Sequence, residues 1–313
     1  MSKAQANSGG ISFSGVAMQY SKIPLTYANQ SALLISRGLI ADPAELEACL
    51  RCVNYYRLSA YLHPLRDGGG DNFKPNTTLE KVWRRYCFDR QLRILVLDAI
   101  ERIEVYCRTN LSYELAHKYG PFGYLDPGNL PFLKPTDHKR FIDEVAATLS
   151  KSHEDFAVHF RDTYSEHAHP PLWVLAELLS FGQLVTLHMG SESSIQTRVS
   201  ESLGLRQNKL FKSWLRTLAV VRNIAAHHCR LWNRHFTYQP LVPFPDKYPL
   251  WHSPRPDPNR LFFILLMLRQ LLKKSAPGSK WKERVEDLFS KYSEIPLDPM
   301  GMPSNWREHP VWK

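Results

Sequence analysis

LEKVWRRYCFDRQLRILVLDAIERIEVYCRTNLSYELAHKY, residues 79–119, decides how the rest of the chain is read. Leu92, Leu95, Val96, Ala99, Ile103 and Tyr106 recur at steps of three and four, which places them on one face of a helix turning about 100° per residue. The opposite face carries Arg90, Arg93, Glu101, Arg102, Glu104 and Arg108. A helix with one apolar and one charged face packs one side against a core. Its charged side is then a solvated surface, a polar seam inside a bundle, or a wall facing RNA. Gly120-Pro121 ends the helix, and Thr77 or Thr78 stands where an N-cap belongs.

Toward the N-terminus, residues 1–19 read as a flexible tail. A short helix leads from Gln30, Leu33 and Leu34 to Arg37-Gly38-Leu39, with the glycine at its C-terminus. Asp42-Pro43 reads as N-cap and first helical position for a helix running through Leu46, Leu50 and Val53 into NYYRLSAYLHPLR (54–66). Toward the C-terminus, a Pro- and Gly-rich loop (120–136) precedes a helix expected from His138 to about Phe160. An apolar helix LWVLAELLSFGQLVTLHM (172–189), a possible short helix within 191–208, and a strong helix from Lys209 to Trp232 follow. Residues 237–259 hold seven prolines and read as irregular. An amphipathic helix from Asn259 to Lys274, one from Ser279 to Tyr292, and a Pro-rich tail complete the chain. With no period-two run, internal repeat or phosphate-binding glycine loop, the expected class is all-α. The expected organisation is a tail (1–19), an N-terminal helical region (20–76), a helical core (77–236), and a Pro-rich segment with C-terminal helices (237–313).

The 313 residues are 43% hydrophobic, enough for a sizeable core without disulfide staples. A net charge of +10 favours a polyanionic partner, since each phosphate neutralised releases counterions. Five scattered cysteines do not form a disulfide framework, and the lone pair Cys49 and Cys52 reads as half-buried thiols rather than a metal or redox site. The longest apolar run, Leu261 to Leu268, is too short to span a bilayer, and no signal peptide is visible, so a cytoplasmic protein without membrane contact is expected.

Chemistry concentrates in WLRTLAVVRNIAAHHCRLWNR (214–234). Trp214, Leu215, Leu218, Val221, Ala225 and Trp232 share a stripe, and Arg222 falls within it. Asn223 and His227 share a neighbouring face, with Ala226 leaving the backbone open to a close partner. Bare R-x4-H spacing is common, and a structural polar cluster is its bland reading. The functional reading is RNA cleavage: histidine can move protons near neutral pH, arginine can neutralise a phosphorane, and asparagine can orient the ring or the phosphate. Neither a metal nor another cofactor is expected.

Several blocks in order resemble the abortive-infection Abi-like (AbiD/AbiF) family, within the HEPN superfamily. They are Gln30 with Arg37-Gly38-Leu39, residues 54–66, YCFDRQLRILVLDAIERIEVYCRT (86–109), PLWVLAELLSFGQL (171–184), SWLRTLAVVRNIAAHHCRLWNR (213–234) and Pro240. The resemblance runs from about Leu25 to Trp232. It implies a HEPN-type helical bundle with N- and C-terminal extensions, and Arg222, Asn223 and His227 as the catalytic residues of a metal-independent endoribonuclease. It further implies a homodimer, because such sites are built from two copies of the motif. Phage defence by abortive infection and an RNA-bound state, in some members with a structured noncoding RNA, are also implied.

Tyr56 and Arg57 form an aromatic–cationic patch suited to exposed bases, or pack into the core. Arg102, Arg108, Arg230 and Arg234 are candidates for phosphate contact. His228, nearer the apolar stripe, joins the RNA-binding candidates. Two rivals stand beside the nuclease: a protein that holds a noncoding RNA without cutting it, and a regulator acting through protein contacts.

Overall fold

The computed structural model describes residues 23–313, so the expected tail lies outside the described residues. Twelve α-helices and no strand occur among them; two isolated bridges, Ile40 with Thr78 and Arg66 with Phe73, are the β-type pairings. The chain is all-α. It divides into two compact units, one ending at Val82 and the other Trp83–Lys313.

The first unit contains α1 (Tyr27–Ser36), α2 (Pro43–Val53) and α3 (Tyr55–Leu62). Its punctuation follows the local chemistry. Gly38 takes φ +93 just past α1, and the Asp42 carboxylate accepts from Glu45 N at 3.0 Å with Pro43 in the first helical turn. The expected continuous helix through residue 66 breaks at Asn54. That residue takes φ +65 and its side chain accepts from Tyr56 N at 2.9 Å, so it ends one helix and caps the next.

Helix α4 (Leu79–Tyr119) is unbroken over 41 residues, and Thr78 Oγ1 caps it by accepting from Lys81 N at 3.2 Å. Gly120 ends it at φ +78. Within the second unit α4 is the central strut, with Leu92, Val96, Ala99, Ile100, Ile103, Leu111 and Leu115 buried. The same unit contains α5 (Pro135–Lys151), α6 (Asp155–Thr163), α7 (Leu172–Leu178), α8 (Phe181–Gly190), α9 (Ser193–Ser202), α10 (Asn208–Ala226), α11 (Leu261–Ser275) and α12 (Trp281–Lys291). Two expected helices are each divided. Residues 152–154 separate α5 from α6, and Ser180 with Gln183 forms a capping box that restarts the chain between α7 and α8.

The C-terminal residues belong to the core. In α11, Leu261 to Leu268 are buried on every side, so this helix is internal rather than amphipathic there. The expected Pro-rich tail is also packed. Trp306 and Trp312 are buried, with Trp312 5.9 Å from Trp281, and Trp281 Nε1 donates to Leu95 O of α4 at 2.7 Å. Its aromatic residues outweigh its prolines.

Among the buried titratable groups, His188 stands out for its missing partners. His188 of α8 is buried beside Phe211, and neither ring nitrogen has a hydrogen-bond partner. Burial, aided by the Lys212 charge, pulls its pKa down to about 3. The unfolded chain therefore binds a proton that the folded chain refuses between about pH 6.5 and pH 3, and stability falls as pH drops through that window. The loss from this residue alone should approach roughly 4 kcal/mol at the acid end. His188→Leu should flatten the acid limb of chemical denaturation measured from pH 7 to 4. An unchanged limb would show that His188 is solvated in solution.

Candidate active site

The R-x4-H segment does not lie in mid-helix. Helix α10 ends at Ala226, His227 is its C-cap, and residues 227–234 form a turn. His228 takes φ +58, and its N–H bonds Ala225 O at 3.0 Å while Cys229 N–H bonds Ile224 O at 2.9 Å. This is the paired hydrogen bonding of a Schellman ending, with histidine where glycine is usual. A left-handed non-glycine residue costs on the order of 1 kcal/mol. The expected helix to Trp232 is thus cut short by a stop that carries neither glycine nor proline.

The stop places the motif in solvent. Arg222, Asn223, His227, His228 and Cys229 are all exposed. The expectation that Arg222 sits in an apolar stripe is corrected: it shares the angular sector of Leu215 and Leu218, but at the last turn of α10 its side chain is not covered. Arg222 Nη1 donates to Asn223 Oδ1 at 3.4 Å, so asparagine is placed to steer the guanidinium rather than the imidazole. The His227 N–H bonds Asn223 O at 2.9 Å, fixing where the ring leaves the helix.

Beyond the helix, the turn is tied down from α4. Asp89 is fully buried; its Oδ1 accepts from Leu231 N at 3.0 Å and Trp232 N at 2.6 Å, and it pairs with the buried Arg93 one turn on. Arg85, one turn earlier, lies 5.2 Å over the Trp232 ring, and burial lowers its pKa. Arg230 lies 6.0 Å over the same ring and donates to Asn233 O at 3.3 Å; Arg234 Nε donates to Arg230 O at 2.7 Å. Arg230 and Arg234 therefore shape the turn beside the motif as well as charging it. Sequence reasoning missed Asp89 and Arg85. The spacing Arg85, Asp89, Arg93 was the available sign, an acid between two arginines on one helical face.

The other candidates are distributed. On α4, Arg102 pairs with Asp98 at 3.0 Å and is partly exposed. Arg108 pairs with Glu104, and both are largely covered. The charged face of α4 is thus in part an internal polar seam, made of carboxylate–arginine pairs four residues apart. In the first unit, Tyr56 is 71% exposed, Arg57 is half-buried, and Tyr55 is half-buried with its hydroxyl accepting from Arg37 Nη1 at 3.2 Å. All five cysteines are free thiols; of the pair expected to be half-buried, Cys49 is and Cys52 is exposed, and Cys229 is exposed as well. Among the described residues, no group of three or more His, Cys, Asp or Glu side chains is arranged to hold a metal ion, and no helix is long and apolar enough to cross a membrane.

The family model for Abi-like proteins matches residues 48–233. The matched span covers the 54–66 block, α4, α7, α10 and the Arg222–His227 segment, and leaves out Gln30, Arg37-Gly38-Leu39 and Pro240. No curated protein and no solved structure matches the chain. The matched span is more than half of the 313 residues, and the chain belongs to the Abi-like protein family.

Proposed function

We propose that this chain is a metal-independent endoribonuclease of HEPN type, acting as a homodimer through Arg222, Asn223 and His227. Family membership supports a role in abortive infection. The observation that carries the finer reading is the solvent-facing end of α10, where Arg222 and Asn223 are joined side chain to side chain and His227 caps the helix. A single copy offers these groups on an exposed surface, and a second copy meeting it there would enclose them and exclude water. The basic charge of +10 suits an RNA substrate.

In this reading a base accepts the proton of an RNA 2′-hydroxyl. The 2′-oxygen forms a bond to the adjacent phosphorus, the bond from phosphorus to the 5′-oxygen breaks, and an acid protonates the departing oxygen. His227 of one copy serves one proton transfer and its counterpart in the other copy the second. Arg222 neutralises the phosphorane oxygens, with Asn223 holding its guanidinium in place. Products should end in 2′,3′-cyclic phosphate and 5′-hydroxyl, and EDTA should leave the rate unchanged. Products with 5′-phosphate ends, or a strict monomer that cleaves at nanomolar concentration in the absence of self-association by light scattering, would refute the composite site.

A further inference from the structure

Away from α10, two grooves meet at Trp173. One, of about 490 Å³, is walled by Phe122, Phe156, His159, Tyr164, His167 and Trp173; the other, of about 460 Å³, by Tyr113, His117, Ser112 and the same tryptophan. Trp173, Tyr113 and Tyr164 are 59%, 59% and 52% exposed. Three large rings left in solvent along two adjoining grooves are unusual for a folded surface, where single exposed apolar residues need no explanation but clusters mark contact sites.

The rings are held for presentation. Leu172 and Leu175 of α7 are fully buried, and Leu172 N donates to Pro121 O at 2.8 Å, so the neighbouring Trp173 is fixed facing outward. Tyr124 Oη donates to Pro170 O at 2.7 Å, pinning the approach to α7. Phe122 stacks on His167 at 4.9 Å with the rings 8° apart, and Tyr113 lies 3.9 Å from His117. Each groove is thus lined by a prebuilt ring pair and by Trp173. No lysine or arginine lines either groove, and Glu177 is the one carboxylate. This lining suits a flat, uncharged ring system with polar edges, not a phosphate. The chain's positive charge lies elsewhere and complements the backbone to which such rings are attached.

We propose that the two grooves flanking Trp173 bind unpaired bases of single-stranded RNA by stacking, while cationic side chains outside the grooves hold the phosphates. The proposal rests on the reading that RNA is what this chain acts on. The test uses the full chain and a fluorescein-labelled, unstructured ten-nucleotide RNA with 2′-O-methyl groups, which removes the nucleophile and keeps the bases. Trp173→Ala should weaken binding roughly 5- to 150-fold in fluorescence anisotropy, while the dependence of affinity on salt keeps its slope because phosphate contacts remain. Trp173→Phe, which restores a ring face, should recover most of that loss. Tyr164→Ala, in the larger of the two grooves, should weaken binding several-fold and guards against a folding defect in the tryptophan variant. Failure of the parent protein to bind the oligonucleotide overturns the proposal, as does undiminished affinity in folded Trp173→Ala and Tyr164→Ala proteins. A loss with a flattened salt slope overturns it too. The nuclease reading is judged apart, on unmodified RNA: cleavage surviving in His227→Ala sinks that reading and leaves the stacking cleft standing, whereas lost cleavage with undiminished Trp173→Ala binding does the reverse.

Discussion

His227→Ala should lower RNA cleavage by about 10²–10⁴-fold, the range for removal of a positioned proton-transfer group. In activation free energy that is on the order of 3–5 kcal/mol. The variant should keep its fold, because the imidazole is exposed and the structural bond at this position is made by the backbone N–H to Asn223 O at 2.9 Å. Alanine supplies the same N–H. Arg222→Ala should lose a comparable amount of activity, and its solvent exposure makes it a clean companion test: its side chain donates to the neighbouring Asn223 Oδ1 and is otherwise open to solvent. Both variants should still bind RNA, since affinity is spread over many phosphate contacts. The measurement is initial cleavage rate at saturating enzyme, with helical circular dichroism and light scattering on the same samples. Wild-type cleavage by a folded, dimeric His227→Ala protein would remove the histidine from the mechanism.

How the site could be read from sequence turns on a few residues. Helix α4 was legible because 41 residues of three- and four-step repetition leave one solution, and its ends carry Thr78 and Gly120. Helix breaks were legible where glycine or proline marks them and hidden where side chains do the work. Asn54 and Ser180 sit inside apolar runs, and only their hydrogen bonds to Tyr56 N and Gln183 N divide the helices. The end of α10 was hidden for a related reason: His228 adopts the left-handed turn without a glycine. Reading Arg222 as buried followed from the wheel alone, which cannot say where the covering elements stop. Arg222, Asn223 and His227 were nameable from type and spacing. The support beneath them was not, because Asp89 reaches its backbone partners across more than 140 residues of chain.

That support carries the largest stability effect expected in the protein. Asp89 is fully buried and its side chain serves two masters: the Arg93 guanidinium on α4, and the N–H groups of Leu231 and Trp232 in the turn after α10. Asp89→Ala removes the carboxylate from a guanidinium that is itself only 6% exposed and strips two backbone donors of their acceptor. Removing one partner of a buried ion pair costs about 3–5 kcal/mol, a large part of the roughly 5–15 kcal/mol that holds a folded domain together. Asp89→Asn keeps an oxygen for the backbone donors and loses the charge, so it should fall between alanine and wild type. Replacing both members, Asp89→Leu with Arg93→Met, should be less damaging than Asp89→Ala, because no charge is left buried without its counterpart. Denaturant unfolding of the three variants orders these outcomes. If Asp89→Ala unfolds at the wild-type denaturant concentration, the carboxylate does not bear on the fold. If the double variant is as stable as wild type and yet has lost activity, Asp89 acts on the site by holding the turn that follows His227, since the stability term has then been separated from the positional one.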